Sequence, residues 1–166
     1  VGSLRDLDIC CEPSEADPQI VANPGVGAYW SSQGDKGGKM FLFREGTNLP
    51  VVVHEAGHHL ANYADTRFGV DFPPALGYGF VTEGPLTNPA DPLTKRVYGT
   101  WDGARVPAVS YNRTYARKST REHTAEMVMV HLARAESNAL RLIQTPGFQI
   151  PAGAQSMLVA KLGRGQ

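Results

Sequence analysis

Residues 49–61 read LPVVVHEAGHHLA, and this stretch decides the fold of the chain. Asn48 precedes it as a helix-capping residue. Pro50 stands in the first turn, where the missing backbone N–H of a proline costs nothing. The apolar residues around the polar ones then predict a central, largely buried helix from Val51 to about Ala64.

Two histidines lie four residues apart on this helix, and they point at one ion because only about 40° of rotation around the axis separates them. They are His54 and His58. Catalytic zinc takes three protein ligands and leaves one position for water. Glu55 is placed to act as the general base toward that water. His59 points about 100° away from His58 and is interpreted as a surface histidine or as one that supports a ligand from behind.

The third metal ligand must come from farther along the chain. The metzincin pattern needs a glycine and a histidine three and six residues after His58, and the chain has Ala61 and Ala64 there. Glu83 lies at a thermolysin-like spacing, but Val-Thr-Glu-Gly-Pro around it reads as a turn. Glu83 is therefore one candidate for the third ligand, and a second helix offers the better candidates.

A second helix, predicted from Glu122 to about Arg134, offers two glutamates on one face, Glu122 and Glu126. One of them can bind the metal while the other accepts a hydrogen bond from a ligand histidine. Glu122 can also complete a capping box with Ser119, and Glu126 can be a solvated helix residue. Two histidines of the same helix, His123 and His131, are alternative ligands that we interpret as structural.

The two motifs together resemble the catalytic domain of anthrax lethal factor and the secreted Pro-Pro endopeptidases of clostridia. The resemblance consists of His-Glu-x-x-His at 54–58, Glu-x-x-Ala-Glu at 122–126, and a tyrosine seven residues before the first of these glutamates. It covers roughly residues 39–132 in the order of elements. It implies a zincin-like fold, a zinc cofactor, a peptide or protein substrate and export from the cell.

The resemblance also implies roles for three side chains. Glu122 would be the third zinc ligand, Glu126 would support the ligands from behind, and Tyr115 would stabilise the oxyanion formed during hydrolysis. Tyr111 is a nearby competitor for the last role. The long segment rich in proline and glycine, residues 68–109, has no counterpart, and the resemblance gives no substrate preference.

The remaining chain predicts an α+β fold, with a small antiparallel or mixed sheet packed on the two helices. We expect one domain over residues 1–166 and a β-hairpin whose second strand, residues 39–43, pairs with an extended substrate. Further predictions are a short helix at residues 5–11, long loops with at most short strands at 68–109, a continuation of the second helix to residue 143, and a last helix at 154–162.

Composition limits the partners of the chain. Sixteen basic residues balance sixteen acidic ones, so nothing favours a nucleic acid or an anionic membrane surface. No apolar run is long enough for a membrane span, and we expect a monomer. The adjacent Cys10 and Cys11 are interpreted as free thiols, since a bridge between neighbours closes almost no loop. Two alternatives to a zinc endopeptidase remain: a non-catalytic zinc module of a phage particle or toxin assembly, and a zinc hydrolase of non-peptide amides.

Overall fold

The computed structural model describes residues 6–12, 27–32, 37–43, 47–61, 66–82 and 99–163. The architecture is α+β, as the sequence predicts. The strands and helices are, in chain order, β1 (Leu7–Glu12), β2 (Ala28–Ser32), β3 (Gly38–Phe43), α1 (Leu49–His59), α2 (Thr66–Leu76), β4 (Gly79–Thr82), β5 (Gly99–Asp102), α3 (Thr120–Ala133), α4 (Ser137–Arg141) and α5 (Ala152–Leu162). Two 3-10 turns, Ala108–Ser110 and Thr114–Arg117, lead into α3.

Three strands form a mixed sheet in the order β1-β3-β2. The predicted hairpin is confirmed, because β2 and β3 pair antiparallel with Trp30 opposite Met40. The predicted helix at residues 5–11 is wrong, since β1 lies there and runs parallel to β3. An isolated helix of seven residues is marginal in water, whereas the same residues pair with the otherwise open edge of β3.

The position of β3 corrects a second expectation. β3 is the middle strand of the three, so both of its edges are already paired. An extended substrate cannot add to it. Among the described residues, the strands with an open edge in this sheet are β1 and β2, and β2 is the one that packs against α1.

The helix α1 begins as predicted. The Asn48 side chain accepts a hydrogen bond from the Val51 backbone N–H at 3.1 Å, and Pro50 lies in the first turn. The helix ends at His59 and is followed by a wider turn at residues 60–61. The predicted end near residue 64 lies outside the described residues.

The expectation of loops over residues 68–109 is wrong for its first part, where α2 forms. Pro73 and Pro74 lie inside this helix and made a loop the natural interpretation. Burial outweighs them, because Phe68, Phe72 and Leu76 are four residues apart and at most 3% exposed. Farther along, the short strands β4 and β5 pair antiparallel, as the expectation allowed.

The second predicted helix is confirmed as α3, and it is the most buried of the described elements. Ser119 is its N-cap, and every residue from His123 to His131 is buried. The predicted continuation to residue 143 occurs after a break, as the short helix α4, and the predicted last helix is α5. α3 packs along α1, and a Cβ built on Gly57 of α1 would lie 2.9 Å from the Cα of Ala125.

We predict that Gly57→Ala destabilises the protein by about 1 to 2 kcal/mol. Alanine in a helix interior normally gains about 0.5–1 kcal/mol over glycine, but overpacking costs about 1–3 kcal/mol. Urea unfolding in the presence of a chelator measures the difference. The matched control is Gly153→Ala in α5, where the nearest atom to the added Cβ is 3.8 Å away and stability should not fall. A Gly57→Ala protein as stable as the parent would show that the two helices do not depend on this contact.

Candidate metal centre

Three side chains from two helices converge on one point. Nε2 of His54 lies 3.0 Å from Oε2 of Glu122, and Nε2 of His58 lies 3.4 Å from the same oxygen. One ligand atom from each of the three residues can be chosen so that all lie within 4.8 Å of one another. The group could hold a metal ion, and two imidazoles with one carboxylate are a donor set that catalytic zinc takes.

The local sequence explains why these atoms meet. The i, i+4 spacing on α1 puts the two histidine rings in edge-to-face contact, with centroids 4.8 Å apart. Glu122 stands in the first turn of α3, where the Ser119 hydroxyl accepts a hydrogen bond from the Glu122 backbone N–H at 3.1 Å. The Ser119 hydrogen bond of a capping box is therefore present. The Glu122 carboxylate, which would make the other hydrogen bond of the box, points toward the histidines instead.

Glu126 lies one helical turn beyond Glu122 and behind the same histidine. Its Oε1 is 2.9 Å from Nδ1 of His54, although the angle at the ring nitrogen departs from that of a well-formed hydrogen bond. The alternative of a solvated helix residue is excluded, because Glu126 is completely buried. The structure therefore brings His54 between two carboxylates, one at each ring nitrogen.

The electrostatics of this arrangement follow from the two carboxylates. Burial alone would lower the pKa of His54, but its contacts with Glu122 and Glu126 and the negative charges of Glu126 and Glu55 outweigh it and raise the pKa to about 9. Burial would raise the pKa of Glu126, but His54 and Arg113 lower it to about 2. The pKa of Glu122 is likewise held far below its usual range by the two histidines, against the effect of burial. Both carboxylates are ionised at neutral pH and attract a cation.

Glu55 is buried beside the histidines. Burial raises the pKa of its carboxyl group, and the nearby His54 and His58 act in the opposite direction. The backbone N–H of Trp30 in β2 also donates a hydrogen bond to Glu55. A carboxylate with a raised pKa, next to the metal group, has the properties of a general base.

Tyr115 also lies beside His54, with the ring centroids 5.8 Å apart. Burial and the charges of Glu122 and Glu55 raise its pKa to about 12, so the phenol keeps its proton and can donate it in a hydrogen bond. The competitor Tyr111 instead stacks on His123, with ring centroids 4.4 Å apart, and its hydroxyl is 3.5 Å from that of Tyr78. Tyr115 therefore lies beside the metal group, whereas Tyr111 packs on His123.

Sequence reasoning missed two residues of the site, Asn112 and Arg113. The guanidinium of Arg113 donates to both oxygens of Glu126, at 2.8 and 2.6 Å, and Asn112 Nδ2 donates to Oε2 at 2.5 Å. A buried carboxylate requires such partners, and that requirement is the signal that could have found them. The sequence alone does not indicate which arginine of this region pairs with Glu126, because the pairing depends on the path of the chain before α3.

The other histidines have partners of their own. His59 is completely buried and its Nδ1 accepts a hydrogen bond from the Trp30 indole at 3.2 Å, so the surface alternative for it is wrong because β2 covers that face. His123 Nε2 bonds the Ser110 carbonyl, and His131 Nε2 bonds the Gly163 carbonyl, as expected of structural histidines. Glu83 lies outside the described residues.

A cavity of about 280 Å³ adjoins the metal group. Its walls combine Ala28 of β2 with Pro50 and Val51 of α1, Met129 of α3 and Leu142, and His54, Glu55 and Tyr115 border it. A larger groove of about 610 Å³ lies at the other end of α3, around His131 and Ile150, and touches none of the metal-group residues. Of these two cavities, the smaller one is therefore the one that a molecule in contact with the metal group would occupy.

No protein-family model matches the chain, and no curated protein or solved structure is significantly similar to it. Within the described part of the chain, no helix has the length and apolar character needed to cross a membrane.

We predict that the metal-free protein is most stable between about pH 4.5 and 6.5. The pKa of His54 is raised from 6.5 to about 9, so its stabilising effect is complete below pH 6.5 and is lost as the pH rises through 9. The pKa of Glu126 is lowered from 4.5 to about 2, so its effect is complete above pH 4.5 and is lost as the pH falls toward 2.

Thermal unfolding midpoints in the presence of a chelator, measured from acid to alkaline pH, test this window. The variant His54→Asn should lack the alkaline decline that His54 causes, because the asparagine side chain does not titrate. A parent protein that gains stability between pH 7 and 9 would contradict the paired state of His54.

Proposed function

We propose that this chain is a zinc-dependent endopeptidase domain. The observation that carries the proposal is the convergence of His54, His58 and Glu122 beside two further groups suited to hydrolysis, Glu55 and Tyr115. A site that only stabilises a fold needs a closed set of four ligands and no acid or base. Three ligands with a buried carboxylate alongside are typical of hydrolytic zinc sites.

The residues present fit such a metal, since two ring nitrogens and an oxygen of Glu122 face one another, and the carboxylates of Glu122 and of Glu126 behind His54 are ionised at neutral pH. Zinc held there would supply a Lewis acid that polarises a carbonyl group and lowers the pKa of a water molecule. Glu55 accepts the proton of the attacking water and passes it to the amine that leaves. The raised pKa of Glu55 brings its proton affinity closer to neutral pH, which helps both transfers.

Tyr115 supplies the hydrogen bond for the oxyanion. Its ring lies beside His54 and its hydroxyl reaches the Glu122 carboxylate, so it borders the space in which the carbonyl oxygen would become negative. With a pKa of about 12 the phenol remains a donor throughout the neutral range. Removing a donor of this kind from a hydrolase typically costs about 10²–10³ in kcat.

The open edge of β2 is the part of the sheet suited to hold a peptide. Phe43 N donates to Gly27 O at 3.0 Å, which makes Gly27 and Phe43 a hydrogen-bonded pair of the antiparallel ladder. Because bonded and non-bonded pairs alternate, the backbone groups of Ala28 and Trp30 point away from β3. Trp30 N–H reaches Glu55 at this edge, and Ala28 lines the cavity. A substrate strand beside β2 would therefore pass the metal group.

The resemblance of residues 54–58, 115 and 122–126 to lethal factor and the Pro-Pro endopeptidases supports the same conclusion. It extends the proposal to secretion and to a protein substrate, which the geometry leaves open. An open strand edge next to the site favours an extended peptide over a small amide.

We predict that Glu55→Gln abolishes peptide cleavage and leaves zinc binding intact. The amide cannot accept the proton of water, while His54, His58 and Glu122 remain unchanged. Zinc content and cleavage of a peptide library measure the two properties, with Asp71→Asn on the surface of α2 as a control that should retain both. Normal cleavage by Glu55→Gln would refute the mechanism. A parent protein that binds zinc and cuts no peptide would favour a non-catalytic module, and one that cuts only small amides would favour the amide hydrolase.

We predict that N-methylation of a substrate peptide weakens cleavage at alternate positions only. Pairing with the β2 edge uses the N–H groups of every second substrate residue, and the residues between them point their N–H groups to solvent. Losing a hydrogen bond to the edge would cost about 0.5–1.5 kcal/mol, or about 2- to 12-fold in kcat/KM. A series of singly methylated peptides measures this. An equal loss at every position, or none, would contradict pairing with β2.

A further inference from the structure

The buried carboxylate of Glu126 is enclosed by donors from one short segment before α3. Arg113 Nε donates to Oε2 at 2.8 Å and Nη2 donates to Oε1 at 2.6 Å, which is the bidentate geometry that a guanidinium forms with a carboxylate. Asn112 Nδ2 adds a third hydrogen bond at 2.5 Å to Oε2. These three contacts fix the plane of the carboxylate, which a single contact would leave free to turn.

The same carboxylate touches the metal group on its other side. Oε1 of Glu126, which accepts from Arg113, also lies 2.9 Å from Nδ1 of His54. The opposite ring nitrogen of His54 faces Glu122 at 3.0 Å. This contact is a charge contact and not a well-formed hydrogen bond. A rotation of the Glu126 carboxylate would move the negative charge that faces Nδ1 and with it the preferred orientation of the His54 ring.

We propose that Arg113 is a positioning residue of the metal site: it holds Glu126 in a bidentate fork and thereby fixes the ring of His54 for metal binding. This inference rests on the proposed function and deepens it, because it names what determines the affinity of the site for its metal. Partners that lie behind a ligand histidine typically change metal affinity about 10- to 100-fold when they are removed.

The surroundings of Arg113 indicate that the segment is organised around Glu126. Asn112 is completely buried and its Oδ1 has no hydrogen-bond partner, while its Nδ2 serves Glu126 and the Leu142 carbonyl. The reversed amide would place an oxygen against the carboxylate, so the orientation that leaves Oδ1 without a partner is the one that Glu126 requires. Arg113 also lies 5.0 Å from the ring centre of Tyr115, which places it against a second proposed site residue.

Zinc affinity measured by competition with a chelator tests the proposal without reference to cleavage. We expect Arg113→Gln to bind zinc about 10- to 100-fold more weakly than the parent, and Arg113→Lys to fall between them, since lysine keeps the charge and loses the fork. The matched control is Arg117→Gln. Arg117 lies in the same region, but its guanidinium stacks on Tyr111 at 4.9 Å, and affinity should not change. Far-UV circular dichroism of each zinc-free variant establishes that it is folded.

A double-mutant cycle separates positioning from a general structural effect. If Arg113 acts through Glu126, then Arg113→Gln should cause no further loss of zinc affinity in a protein that already carries Glu126→Gln. Additive losses would overturn the proposal, as would parent-like affinity in a folded Arg113→Gln protein. If Arg113→Gln does not fold, Arg113→Lys takes its place in the cycle. Parent-like zinc affinity of Arg113→Lys then overturns the proposal. A loss of zinc affinity that Arg113→Lys causes in the parent, but not in a protein that already carries Glu126→Gln, supports it.

The outcomes for the function and for Arg113 are distinct. A parent protein that binds zinc and cuts no peptide refutes the peptidase, and the affinity cycle still decides the role of Arg113. A parent that binds no zinc refutes both. Because Arg113 also lines the cavity beside His54, the zinc-affinity cycle and not the cleavage rate decides its positioning role.

Discussion

The close approach of α1 and α3 is the constraint on which the site depends. At Gly57 the two backbones come so near that a Cβ would lie 2.9 Å from the Cα of Ala125. Ala125 is completely buried and stands between Glu122 and Glu126 in the chain. The small residue of the Glu-x-x-Ala-Glu segment is thus a packing residue, and its size lets the flanking glutamates reach a histidine of the other helix.

That approach brings an excess of negative charge into the interior, and the excess determines how the site behaves. Glu55, Glu122 and Glu126 lie within reach of two histidines and Arg113. Buried charges are costly unless they are paired, and removing one partner of such a group is strongly destabilising. Without a metal, His54 supplies the missing positive charge by holding a proton, which is why its pKa is raised. A divalent cation bound there would take the place of that proton, so its affinity would fall as the pH falls.

Local patterns in the sequence were sufficient for the parts of the site that lie within one helix. The period of 3.6 residues placed His54 and His58 on one face, and the capping residues Asn48 and Ser119 located both helix starts. What could not be predicted depends on contacts between distant segments. In the sequence, nothing distinguishes Arg113 from the neighbouring arginines, because its role depends on how the chain before α3 folds. The helix α2 was not predicted because it contains two prolines, although the burial of its aromatic residues stabilises it.

The strand β1 shows how one missed contact changes the interpretation of function. Because β1 occupies the far edge of β3, the open edge beside α1 belongs to β2. Trp30 joins this strand to α1 twice, through its backbone N–H to Glu55 and through its indole to His59. Gly38 of β3 leaves the room that the indole and His59 require, since a side chain there would overlap both rings. Glu55, the proposed general base, and the edge proposed to carry a peptide are therefore held in one fixed relation, and the geometry of the proposed site depends on the sheet as much as on the two helices.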